Sequence, residues 1–247
     1  MEKKFGLIGF PVAHSFSKVY FEKKFIRESL SNHHYDCYSL KNINDLLPLL
    51  KENPTLLGLN VTIPHKEAVI GLLSSVDSLA KQIGAVNVIK INGSKLVGYN
   101  TDSIAFRETL KNWFPNPKGS MALILGTGGS SKAVQYALQT LSIPFLKVSR
   151  VASKGNITYE NINEDHNIIS SHNLIINTTP LGMSPNEQLI PDINCDLMSS
   201  THFVYDLIYN PEKTQLLKEV EMRGATIKNG LEMLHLQAEK SWEIWNS

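Results

Sequence analysis

The chain is 247 residues long, 42% hydrophobic and 19% charged, which excludes a disordered polypeptide and leaves room for one large domain or two of ordinary size. A formal net charge of +1 excludes the strongly basic balance of a general nucleic-acid binder or of a protein that coats anionic membranes. The apolar runs are too short to span a bilayer, "MEKKFGLIGF" passes straight into a polar loop, and Cys37 and Cys195 lack disulfide or metal spacing; a cytoplasmic protein without membrane segment, signal peptide or thiolate metal is expected.

The predicted elements alternate between strand and helix. "FGLIG" (5–9) reads as a strand, 17–29 as a helix, "YDCYSL" (35–40) as a strand and 43–52 as a helix. The strand "LLGLNV" (56–61) is followed by helices across 64–83. Pro64 reads as the first residue of one of them, where its missing N–H costs nothing, so Lys66 falls in the first turn, at the positive end of the helix dipole. "AVNVIKINGSKLVGYN" (85–100) reads as a hairpin around Asn92-Gly93. A helix over 103–113 ends at "FPNPKG", a stretch that suits a domain boundary. A second series follows: "MALILG", a helix over 130–141, "FLKVS", "NLIINTTP", "FVYDLIY", a helix over 212–222 and "ATI". The last segment, 230–245, carries Leu231, Leu234, Leu236, Ala238, Trp242 and Trp245 at helical spacing. The alternation predicts parallel sheets covered by helices, in two α/β domains.

"ALILGTGGSSKAV" (122–134) is strand, glycine turn, then helix, the setting in which a dinucleotide's pyrophosphate rests on a helix N-terminus. Gly126 permits the turn and Gly128 lets backbone approach phosphate. Gly129, Ser130 and Ser131 offer N–H and hydroxyl donors, Ser131 standing at the third glycine position of the usual fingerprint. The next strand ends Val148-Ser149-Arg150, with Lys154 close behind. No acid is there to bond a ribose 2′-hydroxyl, and two cations suit a 2′-phosphate, which predicts NADP rather than NAD. Two Tyr-x-x-x-Lys pairs, Tyr20…Lys24 and Tyr209…Lys213, raise the rival of a short-chain dehydrogenase. The first precedes the glycine loop and the second is interrupted by Pro211, so neither suits that chemistry.

Eight motifs then occur in one order along the chain: Gly9-Phe10-Pro11-Val12-Ala13-His14-Ser15-Phe16-Ser17-Lys18, "NVTIPHK" (60–66), "GAVNV" (84–88), "GYNTD" (98–102), "GTGGSSKAV" (126–134), "NTTPLGM" (177–183), "YDLIYNP" (205–211) and "NGLEMLHLQA" (229–238). In these the chain resembles the shikimate dehydrogenase family over its whole length. It departs at Lys18, where the family has proline, at Ser149, where asparagine is usual, and at Glu232. The resemblance implies an N-terminal α/β substrate domain (1–102 and 231–247) to which the C-terminal helix returns, and a Rossmann-like domain for NADP(H) (103–230), with cofactor and substrate meeting in the cleft between them. It implies the reversible reduction of 3-dehydroshikimate to shikimate, on the way to aromatic amino acids, by a monomer or a homodimer.

Hydride delivery to a ketone leaves negative charge on oxygen, so a proton donor must lie within reach. No metal site can be assembled, since there is no His-x-x-x-His pair with acid nearby. Lys66 is the candidate, because a helix N-terminus and a closing cleft both disfavour its ammonium form. A carboxylate must keep the proton within range, and Asp102, at the start of its own helix, stands at the matching family position. Ser15 and Ser17 resemble the family's carboxylate-binding pair, although hydroxyls there read equally as helix N-caps. Thr62, Asn87, Tyr209 and Gln237 match hydroxyl-binding positions. Gly126, Thr127, Gly128, Gly129, Ser130, Ser149, Arg150 and Lys154 match the cofactor loop, and Leu207 and Gly230 match backbone contacts near the nicotinamide. A quinate/shikimate dehydrogenase that also uses NAD is the nearest alternative. A non-catalytic nucleotide-binding relative is the remote one, and the presence of both Lys66 and Asp102 opposes it.

Overall fold

A computed structural model of the chain describes residues 2–12, 15–115 and 117–247. Ala13 and His14 of the first motif, and Asn116 of the proline-rich stretch, lie outside the described residues. The chain forms two units, Met1–Thr101 with Gln237–Ser247, and Asp102–Leu236.

In the first unit the elements are β1 (Lys3–Gly9), α1 (Phe16–Arg27), β2 (His33–Ser39), α2 (Leu46–Glu52), β3 (Leu56–Val61), β4 (Ser75–Val76), α3 (Ser78–Ile83), β5 (Val88–Asn92) and β6 (Lys95–Tyr99). They build one sheet in the order β2-β1-β3-β5-β6-β4. β2 and β3 run parallel to β1, whereas β5 runs antiparallel to β3 and to β6. The sheet is therefore mixed rather than parallel, because a two-residue connection between β5 and β6 reverses the chain. The turn residues are Gly93-Ser94, one later than expected: Asn92 pairs with Lys95, and Gly93 has φ 59° at the first turn position. Alternate residues of each strand face opposite cores. Ile8, Leu59, Val61, Val86 and Ile89 join Leu46 and Val69 in one, while Phe5, Leu7 and Val88 join Phe21, Phe25, Tyr35 and Trp245 in the other.

The second unit contains α4 (Asp102–Trp113), β7 (Ala122–Leu125), α5 (Gly129–Thr140), β8 (Phe145–Ser149), β9 (Ile157–Thr158), α6 (Tyr159–Glu164), α7 (His166–Ser171), β10 (Leu174–Asn177), β11 (Phe203–Asp206), α8 (Gln215–Glu221), β12 (Thr226–Lys228) and the first turns of α9 (Leu231–Asn246). The strand order β12-β11-β10-β7-β8-β9 is parallel at every pairing. It is the doubly wound order in which the switch point lies beside the first strand, here β7. "FPNPKG" connects α4 to β7 inside this unit and is not a boundary: Phe114 is buried with Ala105, Phe106 and Leu110. The unit instead begins at Asp102 and extends through Leu236, since Met233 and Leu236 pack in that same cluster.

Helix α9 buries Met233, Gln237, Ala238, Ser241 and Trp245, so the buried face is an i, i+4 row with polar members that an apolar stripe does not reveal. Within the first unit Trp245 Nε1 donates to Ile89 O at 3.0 Å, and its ring lies over Gly58, where an added Cβ would come within 2.2 Å. Gly58→Ala is expected to cost about 1–3 kcal/mol through overpacking, read as a lower urea midpoint; an unchanged midpoint would mean that Trp245 is not fixed there. The Tyr20…Lys24 pair is part of the same attachment. Lys24 Nζ meets Glu239 Oε2 and Glu28 Oε1, each at 2.7 Å, and Tyr20 OH donates to Glu239. Among the described residues no helix is long and apolar enough to cross a membrane.

Candidate active site

Several connections of the first unit come together at one edge of its sheet. The chain leaves β1, β3 and β6 there and enters β5 there, because β5 alone of these runs the other way. Ser15 follows β1 and caps α1, its Oγ accepting from Ser17 N at 3.1 Å, so the capping role falls to Ser15 while Ser17 is buried. Lys18, in place of the family's proline, lies 3.3 Å from Asp36 Oδ1, whose carboxylate holds the ammonium above its ordinary range. Gly9 leaves room for Thr62, since a Cβ there would fall 2.3 Å from Thr62 Cγ2. Thr62 N donates to Ile8 O at 2.9 Å.

Asn87 is the centre of the polar cluster. Its Nδ2 donates to Thr101 Oγ1 at 2.9 Å and to Gln237 Oε1 at 3.4 Å, and its Oδ1 accepts from Thr101 N at 2.7 Å. Thr101 Oγ1 donates in turn to Gln237 O at 3.2 Å. An amide buried to 2% exposure needs such partners. Neither Thr101 nor Asn60 was singled out from sequence. Asn60 Nδ2 donates to Ser241 Oγ at 2.9 Å and its Oδ1 accepts from Tyr35 OH at 2.8 Å. Asn60 lies inside "NVTIPHK" and Thr101 inside "GYNTD", and the motifs were the available signal.

Lys66 is half-buried beside this cluster, its carbonyl accepting from Val86 N at 2.7 Å. The expected helix at Pro64 does not form. Ile63-Pro64 is a cis peptide in a turn, Thr62 O accepts from His65 N at 3.0 Å, and only a 3-10 segment, Ala68–Leu72, follows. Residues before a proline avoid the α region, and His65 spends its ring on Leu40 O at 2.7 Å, tying the segment down as a loop. Lys66 therefore lies ahead of any helix, and the dipole argument for it does not apply. Asp102 does begin its helix, α4, and is buried.

In the second unit the glycine loop joins β7 to α5. Gly126 has φ +106°, which only glycine adopts easily, and a Cβ there would lie 2.8 Å from Thr178 Oγ1. Gly128 precedes the first turn of α5, and a Cβ on it would meet nothing within 4 Å. With Thr127, Gly129 and Ser130 it stands at the amino end of a twelve-residue helix, a setting that fits a phosphate. Ser131 is not among the donors: it is buried and its Oγ donates to Gly126 O at 2.8 Å, bracing the loop from behind. At the end of β8, Ser149 is buried and its Oγ accepts from Val151 N at 3.1 Å, so it shapes the turn that exposes Arg150. Burial pushes the Tyr159 phenol up to about 12, and the Arg150 guanidinium pulls against it. Lys154, also exposed, ends the 3-10 turn that follows.

Leu207 and Gly230 do meet: a Cβ on Gly230 would lie 2.0 Å from Leu207 O, and Gly230 N donates to Ile208 O at 3.0 Å. Tyr209 is half-buried, and burial raises its phenol. Just before them stands Asp206, fully enclosed, which sequence reading passed over as part of a strand. Burial pushes its carboxyl up to about 6, while bonds from Thr214, Ile208 N and Asn177 pull it down. No group of three or more His, Cys, Asp or Glu among the described residues could hold a metal ion.

Comparison with known proteins agrees with this anatomy. The family described as "Shikimate dehydrogenase substrate binding domain" matches residues 7–89. The shikimate dehydrogenase (NADP+) of Staphylococcus haemolyticus is 34% identical over 98% of this chain and 92% of its own length. That of Aquifex aeolicus is 38% identical over 98% and 90%. The crystal structure of shikimate 5-dehydrogenase from Thermus thermophilus in complex with NADP(H) and shikimate superposes with a TM-score of 0.83 at 30% identity, covering 98% of this chain and 93% of that one.

Proposed function

The chain belongs to the shikimate dehydrogenase family, and on that premise we propose that it catalyses the reversible NADPH-dependent reduction of 3-dehydroshikimate to shikimate, in aromatic amino acid biosynthesis. The observation that carries the reading is the convergence of Thr62, Lys66, Asn87, Thr101 and Gln237 at one sheet edge of the first unit. That edge carries a lysine among residues with short polar side chains, the residue types a site for a small polyhydroxylated acid requires. Bound NADPH supplies the hydride. Lys66 gives a proton to the substrate oxygen during reduction and takes one from the hydroxyl during oxidation, with Asp102 as the carboxylate of the same acid–base couple. Ser15 and Ser17 bind the substrate carboxylate through their hydroxyls, and Thr62, Asn87, Tyr209 and Gln237 bind its ring hydroxyls. Each role is a hydrogen bond between short side chains and a fixed ring, which orients the reacting carbon.

Gly126, Thr127, Gly128, Gly129 and Ser130 cradle the pyrophosphate, Leu207 and Gly230 meet the nicotinamide half through backbone, and Arg150, with Lys154 and the Ser149 turn, binds the 2′-phosphate. Arg150→Ala is accordingly expected to raise the NADPH Michaelis constant by about tenfold or more, the loss of one charge-assisted bond, and to leave that for NADH nearly unchanged. Equal changes in both would remove the 2′-phosphate role. The unpaired thiols Cys37 and Cys195 accord with a reducing cytoplasm. Absorbance of the reduced cofactor, followed with shikimate against quinate and NADP against NAD, tests the assignment. Shikimate with NADP should give the highest kcat/KM, and no turnover with that pair would refute it.

A further inference from the structure

The carboxyl ends of β10 and β11 carry an enclosed polar network to which the roles above assign nothing. Asn177 and Asp206 end these neighbouring strands and face each other in register. Both are 0% exposed, as is Thr214. The Asp206 carboxylate accepts from Asn177 Nδ2 at 3.0 Å, Ile208 N at 3.0 Å and Thr214 Oγ1 at 2.7 Å. Asn177 turns its own oxygen to the next loop, accepting from Thr179 N at 3.0 Å and Thr179 Oγ1 at 2.7 Å. Thr214 also caps α8, accepting from Leu217 N at 3.3 Å.

A buried carboxylate is an expensive way to fill space, and an apolar side chain of similar volume is commonly as stable or more so. What an apolar residue could not do is fix three donors at once. Those donors lie at the end of β10, on the loop after β11 and at the start of α8. Leu207 lies between Asp206 and Ile208; its N–H donates to Asn177 O at 3.0 Å, and Ile208 O accepts from Gly230 N at 3.0 Å. Ser184 N, further along the first loop, donates to Asn210 O at 3.3 Å, so the two loops are joined beyond Tyr209 as well.

We infer that Asp206 is a positioning residue for the redox step: through Asn177, Ile208 and Thr214 its carboxylate holds the 207–210 backbone in a single arrangement. The inference rests on the reading above, in which Leu207 and Gly230 meet the cofactor and Tyr209 the substrate. Asp206 itself touches neither. In Asp206→Asn one amide N–H must face a donor, so the network loses at least one bond while volume and shape stay the same.

The test uses the full chain. Measurements are kcat and KM for shikimate, the primary isotope effect with shikimate deuterated at the carbon that gives up hydride, and binding of adenosine 2′,5′-bisphosphate by calorimetry. Misplacement of reacting groups by an ångström costs on the order of 100-fold. Asp206→Asn should therefore lose about 30- to 100-fold in kcat with a larger isotope effect, while KM and adenosine bisphosphate affinity stay within about threefold. A merely structural role would not change the isotope effect. A folded Asp206→Asn with near wild-type kcat overturns the inference, as does a kcat loss matched by lost nucleotide affinity. If Asp206→Asn does not fold, Thr179→Val decides instead: a kcat loss of about fivefold with a raised isotope effect supports the role, and unchanged kinetics overturn it. A wild-type chain inert toward shikimate removes the parent reading and this one together, whereas an active wild type with an unimpaired variant removes this one alone.

Discussion

Lys66→Ala is expected to lower kcat for shikimate oxidation by about 10²- to 10⁴-fold, the range a positioned general acid–base contributes, with the shikimate KM changed much less. As hydride leaves the ring carbon, the hydroxyl proton must go to a base, and without one the transition state carries an unrelieved charge. Two anchors of the segment remain after the change: Val86 N donates to the backbone carbonyl of residue 66, and the His65 ring bonds to Leu40 O. Lys66→Arg should not restore turnover, since a guanidinium keeps its proton throughout the accessible pH range. Steady-state kinetics under saturating cofactor separate the two constants, and wild-type kcat in Lys66→Ala would assign the proton to another group.

Gly230→Ala is expected to damage both the fold of the second unit and the reaction. The added Cβ would lie 2.0 Å from Leu207 O and 2.6 Å from Leu207 C. Both are backbone atoms flanked by the bonds from Leu207 N to Asn177 O and from Gly230 N to Ile208 O, so one strand end must move. Overpacking of this kind costs about 1–3 kcal/mol, and displacing the loop that carries Leu207 and Tyr209 should lower kcat/KM by about 10²-fold. Thermal denaturation and initial rates give the two quantities separately. A variant with unchanged melting temperature and kinetics would show that the close approach is not needed.

The second unit was the more legible from sequence, and the reason is physical. A buried parallel strand, a glycine at φ +106° and a helix starting directly afterwards leave few other readings of "ALILGTGGSSKAV". Arg150 was singled out because an acid is missing from a position with a known chemical task. Helices α6 and α7 escaped because they are short, bury mainly Tyr159, Ile162 and Ile169, and owe their starts to the Thr158–Asn161 capping box and the Asp165 cap rather than to periodicity. The helix expected at Pro64 failed because "PHKEAVIGLL" has helix-like periodicity, while the turn at the cis Ile63-Pro64 bond and the His65–Leu40 bond are invisible to a pattern. The local dipole argument for Lys66 therefore falls away, and its proposed role rests on the motif order. Gln237 and Ser241 show the same limit: an apolar stripe does not place them on the buried face of α9, where they meet Asn87 and Asn60. Asp206 was hidden inside "YDLIYNP", where nothing in sequence separates an enclosed acid from an exposed one.

The most direct test of the Lys66–Asp102 acid–base couple is a double-mutant cycle on kcat for shikimate oxidation with NADP, comparing Lys66→Ala, Asp102→Asn and the two together. Groups that serve one proton transfer lose their effect as a unit, so the double variant should be about as slow as the slower single variant. Losses that multiply would show that the lysine and the aspartate act independently.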